Sequence, residues 1–403
     1  MPWSLRMMLF TFAIALLPYT YMAWRLINAL AIFYPHLHKS LKIIIPLIFL
    51  LVNLFPIITG MTYILGHYQN LSYSSDHFTV FDMLIVIPYW IGLIIILESF
   101  PYILLSDLIL LVSRWFSVAS KANLVKWIAL LKIILFVFFI LFVLIRVYLD
   151  TTKIKLTEYT VAVKGLSPEL ESLNFVLTAD IQVDQYSPEE KIETFKKDVA
   201  DLNPDLLFFA GDLVTSGTSF IDEGISVLCD TKARLDRIAC VGDHDTWSDA
   251  GRIARGIQNC GWNFLDDQHK VIRYKDKKIL VTGVSYVYSK RISPSDLKEL
   301  MGSAPEADLK ILLVHQPSEM VMRAAAEHGY DILLAGHTHG GQIIFRPFGL
   351  TITPTQTENK IFNGIHKIDD MSVIITNGIG MSLVPLRYRA SAEIVQFRLK
   401  RAE

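Results

Sequence analysis

Residues 309–341 read LKILLVHQPSEMVMRAAAEHGYDILLAGHTHGG. An apolar run, Leu309–Val314, stops at His315, and a polar segment of helical character follows. A second run, Asp331–Leu334, opens into the turn Gly336-His337-Thr338-His339-Gly340-Gly341. Apolar runs this short fit strands covered on both faces, and their alternation with helical segments argues for an α/β domain with mostly buried strands. The pattern extends both ways from this stretch. Asn174–Thr178, Leu206–Ala210, Arg237–Val241 and Lys278–Thr282 precede it, and Ser372–Thr376 and Glu393–Leu399 follow. No internal repeat or low-complexity segment interrupts them.

The rest of the chain is different in kind. The 403 residues are 52% hydrophobic and 19% charged, with a mean hydropathy of +0.39. Soluble chains average roughly 25% charged residues. Residues 1–150 carry nine Lys/Arg and five Asp/Glu, about 9% charged, whereas residues 151–403 carry 29 and 34, about 25%. A membrane part, 1–150, is thus expected to precede a soluble domain, 151–403. Disorder, a disulfide-rich miniprotein and a purely soluble protein are excluded. Net charge divides into +4 and −5 across the two parts, with no basic surplus for nucleic acid.

The first part reads as a bundle of four apolar spans: Met7–Phe33, Ile43–Leu65, Phe81–Val112 and Ile128–Leu149. Each reaches the ~20 residues that a crossing helix needs. The first lacks a small-residue cleavage site and is followed by three more, against a signal peptide. The third contains Pro88 and Pro101 and reads as a kinked helix, or as one crossing plus an interfacial segment. Loop one is credited with Arg25, Lys39 and Lys42 and loop three with Arg114, Lys121 and Lys126, whereas Gly66–Val80 has no Lys or Arg. Basic loops stay cytoplasmic, which places the soluble domain outside; Arg6, Lys153 and Lys155 argue weakly the other way. Asn70-Leu71-Ser72 matches a glycosylation sequon that has meaning only in a secretory eukaryote. Glu98 and Asp107 within the third span read as a polar path or helix–helix contact within the bundle or, more simply, as an Asp107 hydrated near the cytoplasmic end and a Glu98 hydrogen-bonded to a neighbouring helix. Lys132 and Arg146 are expected to snorkel.

Chemistry gathers where the strands end, the edge at which open α/β sheets build their sites. In order the ends are Ala179-Asp180-Ile181-Gln182, Gly211-Asp212, Gly242-Asp243-His244-Asp245, His315-Gln316-Pro317 and the His337/His339 turn. Carboxylate and imidazole together suit a hard-to-borderline divalent metal, and two histidines at i and i+2 in a glycine-flanked turn can address neighbouring ions. Any one of these turns alone would be ordinary structure. Five in sequence are not.

The ordered set resembles the calcineurin-like metallophosphoesterase family, and more closely its membrane-attached bacterial branch, from about Lys155 to the C-terminus. The resemblance implies two mixed β-sheets packed as a sandwich flanked by helices. It also implies two divalent metal ions and hydrolysis of a phosphate ester or anhydride by a metal-bridging hydroxide. Carried over by position, Asp180 and His339 would hold the first metal, Asp212 would bridge, and His315 and His337 would hold the second. His244 would act as acid or charge stabiliser, oriented by Asp245. Two positions depart from the family's D-x-H and G-N-H-D patterns: Gln182 stands for histidine and Asp243 for asparagine. Gln182 would ligate more weakly, with Asp184 as an alternative carboxylate, and Asp243 would tighten the second site. The more negative site favours Mn²⁺ or Mg²⁺ over Zn²⁺, with iron also possible to accommodate.

Arg387 is read as a bidentate donor to substrate phosphate, or equally as a structural ion pair. Cys229, Cys240 and Cys260 read as small buried hydrophobes in preference to a pair. His269, His328 and His366 read as ordinary turn or surface residues. A lipid-linked substrate outside the cytoplasm, at a bacterial inner membrane, is the expected partner, because tethering raises effective concentration there. The competing readings are a sensor or scaffold that binds metal or a phosphorylated ligand without turnover, and a transporter-like bundle with an accessory domain.

Overall fold

A computed structural model describes residues 1–67, 77–113 and 121–402. The sequon at Asn70 and the basic Arg114 lie outside the described residues, as does the side chain of Lys121. The chain forms two compact units, one of residues 1–148 with 345–352, the other of residues 149–344 with 353–403.

The first unit holds helices α1 (Trp3–Phe33), α2 (His38–Val52), α3 (Leu54–Ile64) and α4 (Ile87–Ser113), and most of α5 (Lys121–Thr152). Among the described residues, four segments are long and apolar enough to cross a membrane: Leu5–Phe33, Pro35–Val52, Asp82–Ser113 and Ala122–Thr152. The second expected span is corrected. It is two helices, broken at Asn53, whose side-chain amide donates to the Phe49 carbonyl at 2.7 Å. Pro56 then falls in the first turn of α3, where its missing N–H costs nothing. The third is one continuous element that absorbs Pro101 within the helix.

Three of the charges inside the bundle are paired. Arg25 lies in α1, not in a loop, and its Nε is 2.6 Å from Asp107 Oδ2. Lys132 Nζ meets Asp107 Oδ1 at 2.5 Å, and Tyr21 donates to the same carboxylate. Asp107 therefore ties α1, α4 and α5 together, and Lys132 binds inward where snorkelling was expected. Removing Arg25 from loop one leaves Lys39 and Lys42 as its basic residues, both on α2.

The second unit is a two-sheet sandwich. Its strands are β1 (Ile154–Val163), β2 (Asn174–Thr178), β3 (Leu206–Phe209), β4 (Asp236–Ala239), β5 (Asn263–Phe264), β6 (Gln268–Tyr274) and β7 (Lys277–Val284). They continue with the small hairpin β8 (Tyr286–Val287) and β9 (Lys290–Arg291), then β10 (Leu309–Val314), β11 (Ile332–Ala335), β12 (Gly364–Ile368), β13 (Met371–Ile375) and β14 (Ala392–Arg401). One sheet has the order β1-β14-β2-β3-β4-β5 and the other β12-β13-β11-β10-β7-β6. Both are mixed, since β14–β2, β12–β13 and β6–β7 are antiparallel and the other pairs parallel.

Apolar side chains of both sheets, among them Phe175, Phe208, Phe397, Ile311 and Leu334, fill the space between them. Helices α7 (Glu189–Leu202), α8 (Ile221–Asp230), α10 (Ala250–Asn259), α11 (Pro294–Gly302) and α12 (Glu319–Glu327) cover the outer faces, whereas α6 (Pro168–Glu171) gives Leu170 to the core between the sheets and α9 (Asp243–Ser248) follows the turn after β4. Residues of α7, α8 and α10 pack on the first sheet, and residues of α11 and α12 on the second. Because β2, β3 and β4 run parallel, as do β7, β10, β11 and β13, each sheet brings its strand C-termini to one edge.

Cys229 and Cys260 form a disulfide across the ends of α8 and α10, which corrects the reading of both as small hydrophobes; Cys240 is free and buried. The last turn of α5 belongs to this unit and is bound into it. Asp150 accepts from the Arg389 and Ser391 main and side chains respectively, at 2.7 and 2.6 Å, and Lys191 Nζ donates to the carbonyls of Thr151 and Ile379 at 2.8 and 2.7 Å. Burial, and then the Arg387 cation nearby, push the Lys191 ammonium down to about 7. Between that value and the ~10.5 of an unfolded lysine, the unfolded chain binds one more proton than the folded one. Stability of the folded domain should therefore rise with pH from about 7 upward, by at most ~1.4 kcal/mol per pH unit. Denaturant melts at pH 7.5 and 9 check this; Lys191→Met should flatten the slope, and an unchanged slope refutes the assignment.

Candidate metal centre

The site grows from the loops that leave the two sheets. After β2 and β3 the chain zips loop to loop: Asp180 N–H donates to the Gly211 carbonyl (2.8 Å), Gln182 N–H to Asp212 (3.1 Å) and Val183 N–H to Leu213 (2.9 Å). Asp180, Gln182, Asp212, His337 and His339 all take left-handed backbone, with φ of 50°, 52°, 63°, 71° and 48°. Non-glycine residues resist that region, and such strain collects at functional sites. Glycine backbone closes around the carboxylates. A Cβ on Gly242 would stand 2.1 Å from Asp212 Oδ1, and one on Gly336 would stand 2.6 Å from Asp180 Oδ2.

The seven expected metal ligands meet at this edge. Asp180, Gln182, Asp212, Asp243 and His315 are essentially inaccessible, and His339 nearly so. Among the described residues, two groups have ligand atoms clustered closely enough to hold an ion: Asp243, His315 and His337, and Asp180, Asp212 and His315. His339 Nε2 is 3.6 Å from Asp180 Oδ1, and Gln182 Nε2 donates to Asp212 Oδ2 at 3.0 Å.

The donor set fits cations. His315 Nδ1 faces the Ala210 carbonyl at 2.7 Å and so carries the proton there, which leaves Nε2 with a lone pair in the neutral ring. That Nε2 is 3.3 Å from Asp212 Oδ2 and 3.4 Å from Asp243 Oδ2. His337 lies between two carboxylates, with Nδ1 3.0 Å from Asp243 Oδ2 and Nε2 3.6 Å from Glu358 Oε2. Gln182 Oε1 is buried with no hydrogen-bond partner. Lone pairs converging on buried carboxylates need positive charge between them.

Protons answer that need when metal does not. Burial drives the His315 imidazole toward neutrality, but Asp212 and Asp243 overcome it and raise its pKa well above the usual value. Burial likewise works upward on Asp243, where hydrogen bonding to His315 and His337 prevails and holds it below the carboxylate range. Asp180 is raised to about 7, chiefly by burial. The His339 ring is pushed well below its usual value by burial and by the Arg387 cation.

Three expected roles change. Asp245 does not orient the His244 ring; its carboxylate, raised to about 6 mainly by burial, accepts the backbone N–H groups of Gly242, Asp212 and Leu213 at 2.8–2.9 Å. The His244 ring is held instead by the Thr215 carbonyl on Nδ1 and the Ser382 hydroxyl on Nε2 (3.1 Å). Arg387 is no surface anion receptor. It is wholly buried, and its guanidinium donates to the carbonyls of Gly380, His339, Ala390 and Asn377, with Nη2 also 3.3 Å from His339 Nδ1. Asp184 accepts from Tyr186, Ser187 and Thr215 and belongs to neither ligand group.

Sequence reading missed the supporting residues. Gln316 donates to Asp243 Oδ2 at 2.7 Å, the Tyr288 N–H donates to Asp243 Oδ1 at 2.5 Å, and Glu358 accepts the Tyr288 hydroxyl. Gln316 was discoverable, as it adjoins His315. The others sit in loops without a motif.

Residues 173–341 match the calcineurin-like phosphoesterase family model. The chain carries a calcineurin-like metallophosphoesterase domain. That family is dimetal-dependent and places the domain among the metal-dependent phosphoester hydrolases. Relatives agree. The uncharacterized metallophosphoesterase YkuE of Bacillus subtilis is 24% identical over 63% of this chain and 88% of its own length. The phosphodiesterase YaeI of Escherichia coli is 26% identical over 55% of this chain and 80% of its own length. A zebrafish "transmembrane protein with metallophosphoesterase domain" is 26% identical over 62% of this chain, but the match spans only 58% of that protein. The metallophosphoesterase domain is thus the shared part, and the two ligand groups described above lie within or beside the matched residues.

Proposed function

We propose that this protein is a membrane-anchored dimetal phosphoesterase that hydrolyses a lipid-linked phosphate ester or anhydride outside the cytoplasm. The observation that carries the reading is the gathering of the His315 and His337 rings and the unpartnered Gln182 amide oxygen with the buried carboxylates Asp180, Asp212 and Asp243. Asp180, Gln182 and His339 would hold one cation, Asp243, His315 and His337 the other, with Asp212 between them. When bound, the pair would lower the pKa of a water and neutralise charge on the phosphoryl oxygens. Water oxygen bonds to phosphorus as the bond to the leaving oxygen breaks. His244, whose Nδ1 faces the Thr215 carbonyl, lies with Nε2 4.0 Å from Asp212 Oδ2; as the imidazolium it would give its Nε2 proton to the leaving oxygen, and the proton released by the attacking water would restore it.

The other parts rest on separate supports. Only Lys153 separates the end of α5 from β1, a tether that favours a substrate itself residing in the bilayer. The Cys229–Cys260 disulfide suits an oxidising compartment, such as the outer side of a bacterial cytoplasmic membrane. The carboxylate at Asp243, in place of a neutral amide, favours Mn²⁺ over softer ions.

Full-length protein in detergent should release p-nitrophenol from an aryl phosphate ester when Mn²⁺ is added, lose that activity to a chelator, and bind two ions per chain. No turnover with Mn²⁺, Mg²⁺, Fe²⁺ or Zn²⁺, together with at most one tight ion, would instead establish a non-catalytic sensor.

A further inference from the structure

We propose that Trp247 and Tyr288 form the specificity platform of this centre and receive a flat aromatic ring carried by the leaving alcohol. The inference rests on the phosphoesterase reading and deepens it. Trp247 follows His244 by one turn of α9, and its ring meets the His244 ring edge-on at 4.7 Å. Tyr288 lies in the turn between β8 and β9, with its ring 5.6 Å from that of His337. The Trp247 and Tyr288 planes are within 3° of parallel, their centroids 6.2 Å apart, yet the residues are 54% and 46% exposed.

This exposure is not slack. Tyr288 is pinned at both ends, its N–H on Asp243 and its hydroxyl on Glu358, and Glu358 in turn reaches His337. The carboxylate that serves a ligand group therefore also fixes the orientation of an exposed ring. Leu383, 55% exposed, follows Ser382, the residue hydrogen-bonded to His244 Nε2. Apolar surface thus gathers on the His244 side, where the leaving oxygen must take its proton. Clustered exposed apolar side chains beside a polar centre mark recognition, and a rigid aromatic face recognises another flat ring by stacking.

The test compares substrates that differ in the ring and little else: benzyl against cyclohexylmethyl phosphate, and adenosine 5′-monophosphate against ribose 5-phosphate. With the full-length protein and Mn²⁺, kcat/KM should favour the aromatic member of at least one pair by about tenfold. Preference in the nucleotide pair alone identifies a nucleobase; preference in both identifies any flat ring. Trp247→Ala and Tyr288→Ala should each bring the preference to within about twofold, and Trp247→Phe should retain part of it. A merely structural role would lower both members of a pair alike and leave the ratio intact, which overturns the proposal, as do equal rates in the unaltered protein. If no ester is turned over, the phosphoesterase reading fails separately, and calorimetry with benzyl- and cyclohexylmethylphosphonate decides the platform. Tighter binding of the benzyl compound, lost in Trp247→Ala, supports it; equal affinities overturn it.

Discussion

Replacing Asp212 by Asn is expected to lower kcat/KM on an aryl phosphate by about a thousandfold and to leave no more than one bound cation per chain. The substitution keeps the shape and removes the charge. Asp212 Oδ1 accepts the His244 N–H at 2.8 Å, while Oδ2 accepts from Gln182 and lies 3.3 Å from His315 Nε2. An amide oxygen in its place could accept from either the His244 N–H or the Gln182 amide, but its NH2 would then face the other of these donors, hydrogen against hydrogen. With its anion gone from between the two ligand groups, neither cation would be shared. Some stability should go as well, because against the upward pull of burial the neighbouring His315 and His244 hold the Asp212 carboxyl below its usual value. Steady-state kinetics, metal content and a melting curve on the same preparation separate these effects. Turnover equal to that of the unaltered protein would remove Asp212 from the mechanism.

Arg387→Met should cost about 5 kcal/mol of stability, among the largest effects of a single substitution in this domain. The guanidinium sits wholly inside, its pKa drawn down to about 10 by burial, and it serves four carbonyls and the edge of His339. Methionine matches the volume and abandons those acceptors in the dry interior. Arg387→Lys should rescue only in part, since an ammonium has three donors and no fork. A fall in melting temperature of roughly 10–20 °C is expected for a domain of this size. A shift under about 2 °C would show that water or neighbouring N–H groups replace the arginine.

Much of this was open to reading in the sequence, and the exceptions share a cause. β2 and β10 coincide with the apolar runs 174–178 and 309–314, because strands in the middle of a sheet are buried on both faces and leave an unbroken signature. β1, β6 and β12 passed unnoticed, since they lie at or near sheet edges and alternate with exposed polar residues. The ligand residues were legible because each stands at a strand end in a recognisable turn. Roles were less so. Whether Asp245 holds a ring or a loop, and whether Arg387 faces substrate or carbonyls, depends on which backbone groups lie within 3 Å, and spacing along the chain does not encode that. Arg25 shows the same limit within the bundle: a cation counted toward a loop is bound to Asp107 from within a helix.

The glycine backbone packed against Asp212 and Asp180 has a consequence for how this centre can change over time. With main chain rather than side chain at closest approach, no neighbour can rotate away to admit a larger or differently shaped residue. The ligand positions are left with a narrow mutational path, in which exchange of near-isosteric groups is tolerated and little else. Asp243 for asparagine and Gln182 for histidine are exchanges of that kind: each preserves reach and an oxygen or nitrogen donor while altering charge or softness. The scaffold thus lets selection retune which ion is preferred without redrawing the cavity, so related chains should diverge in metal preference sooner than in geometry.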